Sequence, residues 1–282
     1  MTSSIEIKKL KRKNGDNKKI NLSGGTVLDG LPSSTGLVNA IASECLIRST
    51  GTELVAFLDS PDFPPLSVVT NYVPQYPIRI YVNENLKVAF FVSDINIDKI
   101  LQRDVANAIL EWTMENDCKL IISAQGIQFT PSLAASQDDN LKGNESQNEC
   151  DEIKSDQNGL SESSAPYALT ADSYAVTSTD SAARLIAGHG NYFSHLRSGT
   201  IMGIPAILLN EGALTNLDVI VFLVNVIPEI PDFRAAAAVS EAVSKIVPNL
   251  SCDIGSLMVE AQLIETRMKK VRDEHKKTSY IA

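Results

Sequence analysis

A chain of 282 residues, 44% hydrophobic and 21% charged, has enough apolar mass for one large or two small cores and reads as an ordinary globular protein. Its net charge of −9 is concentrated in residues 136–164, with eight acids against two bases, so the body is near neutral and no global field favours nucleic acid. No apolar run approaches the roughly 20 residues that span a bilayer, and residues 1–20 lack the apolar stretch of a secretory signal, so a cytoplasmic protein without a membrane partner is expected.

Residues 1–19 carry seven bases against Glu6 and Asp16, with little apolar periodicity. They are expected to form a flexible basic arm, read as a solvated tail in preference to a nucleic-acid arm. A single α/β domain is expected over 20–282. Near its start, Gly30-Leu31-Pro32-Ser33-Ser34-Thr35-Gly36-Leu37-Val38 makes a tight turn that feeds a helix. Backbone N–H groups at such a turn can cradle an anion. A nucleotide P-loop also needs Lys and Ser/Thr after its last glycine, and here Leu37 and Val38 follow Gly36. The turn therefore reads as a device for packing a helix on a sheet.

Val38, Ile41, Ala42 and Cys45 define one face of that helix. Leu54–Leu58 reads as a buried strand, and the proline-rich stretch 59–65 cannot be regular structure. Ile78–Val82 and Leu86–Val92 flank Asn83-Glu84-Asn85 as a hairpin. Asp98 is placed to cap a helix with the stripe Leu101, Val105, Ala108, Ile109 and Trp112. Leu120–Ser123 reads as a short buried strand. Residues 136–164 are too polar to offset the entropy of ordering and are expected to form a disordered acidic insertion within the domain.

Beyond the insertion, structure is expected to resume at Tyr174–Thr177 and Ala182–Ala187. A helix is expected to begin near Ile201, with Pro205 close to its boundary. Asp218–Asn225 is a continuous apolar run and reads as a central strand. Asp232 caps a helix that Pro248 ends. Asp253 begins a C-terminal helix over 253–277 whose stripe of Leu257, Ala261, Ile264, Met268 and Val271 advances by fours and threes. This seam serves either its own core or a second subunit.

The search for chemistry is sparse. Cys45, Cys118, Cys150 and Cys252 have neither zinc spacing nor the spacing of a disulfide framework, and Cys45 and Cys118 read as small core residues. His189 and His195 lack helical ligand spacing, and no G-x-S-x-G elbow is present. Glu44 and Glu211 read as solvent-facing or capping acids. Asp59 and Asp62 sit at a strand end without a partner base. No catalytic, cofactor or metal site assembles, and no cofactor is expected.

The order of several segments carries a resemblance. Gly30–Val38 is followed by Glu53-Leu54-Val55-Ala56-Phe57-Leu58 with Pro64-Pro65, then by Pro77-Ile78-Arg79-Ile80-Tyr81. Next come Ala108–Trp112, Leu120-Ile121-Ile122-Ser123-Ala124-Gln125-Gly126, Gly199–Gly203 and Pro231-Asp232-Phe233-Arg234. In this order the chain resembles the proteasome assembly chaperone 2 family in its archaeal form, from about Ser23 to about His275. The resemblance implies an α/β, three-layer sandwich resembling the purine nucleoside phosphorylase-like fold, with C-terminal helices. It also implies an ATP-independent, non-catalytic chaperone of proteasome α subunits or the α ring, self-associating or paired with a paralogue. Some members end in a hydrophobic-Tyr-X tail that inserts between α subunits. Here the end is Ser279-Tyr280-Ile281-Ala282, one register off, so Tyr280, Ile281 and the Ala282 carboxylate are the candidate partner-binding residues. The alternative is a nucleoside or phosphorylated-substrate hydrolase or phosphorylase using the turns near Gly36, Gly126 and Gly188–Gly190. A polar pocket at the strand ends would favour it, and a filled or apolar one would favour the chaperone.

Overall fold

The computed structural model describes residues 5–10, 20–32, 35–70, 72–128, 173–227 and 230–262. In chain order its strands are β1 (Glu6–Lys9), β2 (Thr26–Gly30), β3 (Glu53–Asp59), β4 (Val68–Thr70), β5 (Val73–Gln75), β6 (Ile78–Asn83) and β7 (Val88–Ser93). They continue with β8 (Leu120–Ile127), β9 (Tyr174–Thr177), β10 (Ser194–His195) and β11 (Asp218–Asn225). The helices are α1 (Val38–Thr50), α2 (Gln102–Glu115), α3 (Asp180–Ala187), α4 (Ile204–Thr215), α5 (Phe233–Ile246) and α6 (254–262).

Nine strands form one sheet in the order β1-β3-β6-β7-β2-β8-β11-β9-β10, and β4 and β5 form a separate small hairpin. The centre is parallel: β7, β2, β8 and β11 run the same way, and β8 pairs with β11 over eight residues from Leu120↔Asp218 to Ile127↔Asn225. The flanks are antiparallel through β6, β3 and β1 on one side and β9 on the other. Central parallel strands need apolar residues on both faces. Val27, Phe91, Ile121, Val219 and Val221 face one way and meet Val105, Ile109, Trp112, Ile204 and Leu208 of α2 and α4. Leu28, Phe90, Ile122, Ile220 and Phe222 face the other way and meet Val38, Leu46, Ala182, Ile186, Ala236 and Val239 of α1, α3 and α5. Alternating side chains thus produce two cores, and the result is a three-layer α/β/α sandwich.

Several expectations hold. The α2 stripe of Leu101, Val105, Ala108, Ile109 and Trp112 is buried. Asp232 accepts a hydrogen bond from Ala235 N at 2.9 Å and opens α5. Others are corrected. Asp98 does not cap α2: its carboxylate accepts from Ile100 N and its carbonyl from Leu101 N, making a turn before the helix begins at Gln102. The helix expected near Ile201 begins at Ile204, because Pro205 suits only the first turn. The strand expected at Leu120–Ser123 runs on to Ile127, where polar Ser123 and Gln125 retain partners or enclosure on the α2/α4 face.

Part of the expected arm is a strand. Glu6–Lys9 pairs antiparallel with β3, from Glu6↔Asp59 to Lys9↔Ala56, and Ile5 is buried. Alternating Ile5 and Ile7 supply an apolar face, and the edge of β3 supplies partners for the backbone. Residues 11–19 and the acidic insertion lie outside the described residues.

The reading of Cys45 as a simple core residue is also corrected. Cys45 on α1 is disulfide-bonded to Cys252, 207 positions away, just before α6. Folding brings those two helices together around Cys45, Ala237, Leu257 and Met258, a proximity that no local spacing records. Cys118 is a buried free thiol, and burial pushes it up to about 11.

Candidate functional site

Adjacent parallel strands β2 and β8 send their chains to opposite sides. From β2 the chain passes through α1 to β3, beyond β7; from β8 it continues to β9, beyond β11. A crevice opens at the carboxyl ends of two strands whose onward connections part in this way. Here it is a cavity of about 480 Å³, with Asp29 and Gln125 from the strands, Asn39 from α1, Gln102 from α2, and Gly203 and Ile204 from the start of α4.

Asp29 is 1% exposed. Its carboxylate accepts from the Ser123 hydroxyl at 2.7 Å, across the β2–β8 junction, and from Leu31 N at 3.2 Å. Burial lifts this carboxyl to about 6, while the two hydrogen bonds pull the other way. Asn39 ties the start of α1 to both strand ends: Nδ2 donates to Leu31 O at 3.3 Å, and Oδ1 accepts from Ala124 N at 3.1 Å. Gln102 Nε2 donates to Ile97 O at 3.3 Å. Gln125 is 7% exposed and its side-chain oxygen has no hydrogen-bond partner. Lys99 stands exposed at the rim.

The helix termini around the crevice share a property. None of α1, α2 and α4 has a side-chain cap, whereas α3 is capped by Thr179 and α5 by Asp232. First-turn N–H groups of α1 and α4 are thus left without the usual side-chain acceptors, while α2 follows the turn that Asp98 closes and carries Asp104 in its first turn. One position beyond Gln125 the backbone is closely packed: a Cβ at Gly126 would lie 2.5 Å from the Thr35 carbonyl oxygen and 2.9 Å from both Val226 methyls.

The structure scatters most of the residues that the sequence singled out. His189 stacks edge-on against Phe193, while His195 lies on the short strand β10. Among the described residues no cluster of His, Cys, Asp and Glu has the makings of a metal site. Glu44 pairs with Arg48, Glu211 with Arg103, and Asp59 with Lys8 of β1. Of the turns named for the alternative, Gly36 and Gly126 come together through Thr35 and Val226, while a Cβ at Gly190 would meet nothing within 4 Å. Leu257 and Ala261 of the C-terminal seam are buried, with Leu257 beside Cys45 and Ala237. Ile264, Met268, Val271, Tyr280, Ile281 and Ala282 lie outside the described residues. Asp29, Asn39 and Gln125 were missed. Their available signal was polarity inside otherwise apolar strands and at the start of a helix.

These features define a three-layer α/β protein with an open, partly polar crevice at its strand ends. No helix among the described residues is long and apolar enough to cross a membrane. The PAC2 family model matches residues 27–272, and the chain belongs to that family, the one its segment order resembles. It is 23% identical over 259 residues to the uncharacterized protein MJ0106 of Methanocaldococcus jannaschii, covering 92% of this chain and 90% of that protein. The fold is similar to the crystal structure of Pyrococcus furiosus PbaA, an archaeal homolog of proteasome-assembly chaperone. That match has a TM-score of 0.68 and 22% identity, covering 92% of this chain and 91% of PbaA. Pyrococcus furiosus PbaB, an archaeal proteasome activator, is similar at a TM-score of 0.67 and 20% identity, over 96% of this chain and all of PbaB (100%).

Proposed function

We propose that this protein is a non-catalytic, ATP-independent factor that associates with proteasome α subunits or the core particle and assists its assembly. Family membership over residues 27–272 is the observation that carries the proposal. The fold likeness to PbaA and PbaB agrees with it. The crevice meets only part of the sequence criterion that would favour an enzyme, because it is open but sets its polar groups among apolar walls. Its chemistry weighs the other way. Asp29 is occupied by Ser123 and Leu31 N, Ser123 is itself 1% exposed, and no histidine or cysteine lines the cavity. These groups do not form a nucleophile–base pair.

In this reading the protein works in the cytoplasm as a homo-oligomer or with a paralogue. The seam from Leu257 through Ala261, Ile264, Met268 and Val271 begins on the protein's own core and continues toward a second subunit. The Cys45–Cys252 bridge persists in a reducing compartment only where its potential lies below the ambient poise. Tyr280, Ile281 and the Ala282 carboxylate engage a pocket between α subunits.

The test is co-elution of the purified full chain with purified α subunits, α rings and core particles, compared with a chain ending at Lys277. Complex formation by the full chain and its loss on truncation support the proposal, including the tail. Equal binding by both chains removes the tail. No complex with free subunits, rings or core particles overturns the function.

A further inference from the structure

The α6 helix (254–262) packs outside the two main cores. Leu257 and Met258 belong to neither of them and are buried with Cys45 of α1 and Ala237 of α5 in a small cluster edged by Ile41, Phe233 and Ile254. Gly255, Ser256, Val259 and Glu260 are exposed, Val259 at 66%. Hydrogen bonds at the start of the helix stay within the segment: Ile254 N donates to the Cys252 carbonyl at 3.0 Å, and the Ser256 hydroxyl donates to the Asp253 carbonyl at 2.8 Å. The Cys45–Cys252 bridge therefore reinforces a thin apolar contact.

That contact is also incompletely packed. A cavity of about 530 Å³ opens between α6 and α1, lined by Cys45 and Leu257 together with Glu44, Arg48, Asp253 and Glu260. Cys252, at the other end of the bridge, is half-buried. A bridge sealed inside a main core is shielded from exchange with an external thiol, because the attacking sulfur must reach it. This one borders a space that admits a small thiol.

We propose that the Cys45–Cys252 bridge is a reducible clip: a dithiol reductant entering this cavity opens it and releases α6 from α1 and α5 while the sandwich stays folded. One thiolate of the dithiol bonds to the Cys45 sulfur as the Cys45–Cys252 bond breaks, and Cys252 leaves as a thiolate. The second thiolate of the reductant then displaces Cys45 and closes the reductant's own disulfide. The two electrons come from the dithiol, and the two protons that it gives up end on Cys45 and Cys252 as thiols. Neither main core contains Leu257, Met258 or Ala261, so the layers keep their packing when α6 leaves. Leu257 and Ala261 open the C-terminal seam. The bridged state holds them on the protein's own surface helices, and the reduced state frees them. The step needs the folded chain and a reductant alone, so it stands independently of the partner contacts proposed above.

Hydrogen exchange read by mass spectrometry tests this on the purified full chain, bridged or treated with dithiothreitol. Reduction is expected to speed exchange in residues 254–262 at least about tenfold, over labelling times at which α2 and β11 remain protected. Cys252→Ser is expected to show the faster exchange with and without dithiothreitol. After reduction Cys45 and Cys252 are expected to react with iodoacetamide, while Cys118, buried against the main core, stays closed to it. Exchange in 254–262 that is as slow in the reduced chain or in Cys252→Ser as in the bridged chain overturns the proposal, since apolar packing alone would then hold α6. Failure of dithiothreitol to open the bridge in the folded chain overturns it too. Loss of protection throughout α2 and β11 on reduction also overturns it, by making the bridge a support of the whole fold. No proteasome component is present, so none of these outcomes bears on the proposed function.

Discussion

The Ser123 hydroxyl donates to the Asp29 carboxylate at 2.7 Å, joining strands β8 and β2 through side chains at the point where their paths diverge. Burial moves the Asp29 carboxyl from an ordinary 3.8 up to about 6. Between those values the folded chain keeps a proton that the unfolded chain has released, so stability contributed by this group is present at low pH and lost as pH rises through about 6. A lift of this size corresponds to about 3 kcal/mol. Asp29→Asn is expected to flatten the stability profile across that window, measured by urea unfolding at several pH values. A variant that keeps the parent's full slope would locate the titration elsewhere.

The bridge between Cys45 and Cys252 closes a very long loop, 207 positions in sequence. Chain-entropy arguments give up to about 5 kcal/mol for such a closure, and native strain commonly reduces it. Cys252→Ser is expected to lower stability by about 2–5 kcal/mol in chemical denaturation. Reductant should lower the parent by a similar amount and leave the variant unchanged. Equal parent and variant midpoints under oxidising conditions would show that the bridge adds nothing.

Two glycines should respond differently to a side chain. At Gly126 a Cβ would strike the Thr35 carbonyl and both Val226 methyls, so Gly126→Ala is expected to cost about 1–3 kcal/mol by overpacking. Gly51 ends α1 in the left-handed region at φ 59°, with open space around it. Asn tolerates that conformation, so Gly51→Asn is expected to cost under about 1 kcal/mol. Thermal melts of the two variants check the order, and a reversed order would refute the packing account.

Trp112, the sole tryptophan, is 2% exposed and meets Phe91 edge-on at 5.4 Å. This couples α2 to β7. Phe91→Ala is expected to cost about 3–5 kcal/mol and to shift Trp112 emission to the red as water gains access. An unchanged emission spectrum would place the tryptophan in a different environment.

The sequence made the framework legible where burial is continuous or strictly periodic. Asp218–Asn225 could only be a central strand, and the α2 stripe from Leu101 to Trp112 could only be a core face. Strand β1 was hidden because four residues among many lysines carry little periodicity, and its pairing depends on the edge of β3. The β4–β5 hairpin was hidden by the prolines around it and by the exposure of Val69, Tyr72 and Val73. The crevice was hidden for another reason. Asp29, Asn39 and Gln125 are 10 to 96 positions apart in sequence, and only strand pairing and the return of α1 unite them. The disulfide was equally invisible, since tertiary proximity has no spacing rule.

That cross-link has a consequence for the molecule's response to proteases. Cleavage at any single peptide bond between Cys45 and Cys252 would yield two polypeptides still covalently joined. A nicked molecule would therefore migrate as one species on a non-reducing gel and separate into fragments only after thiol treatment. Damage within that span would break the continuity of the backbone without dividing the particle.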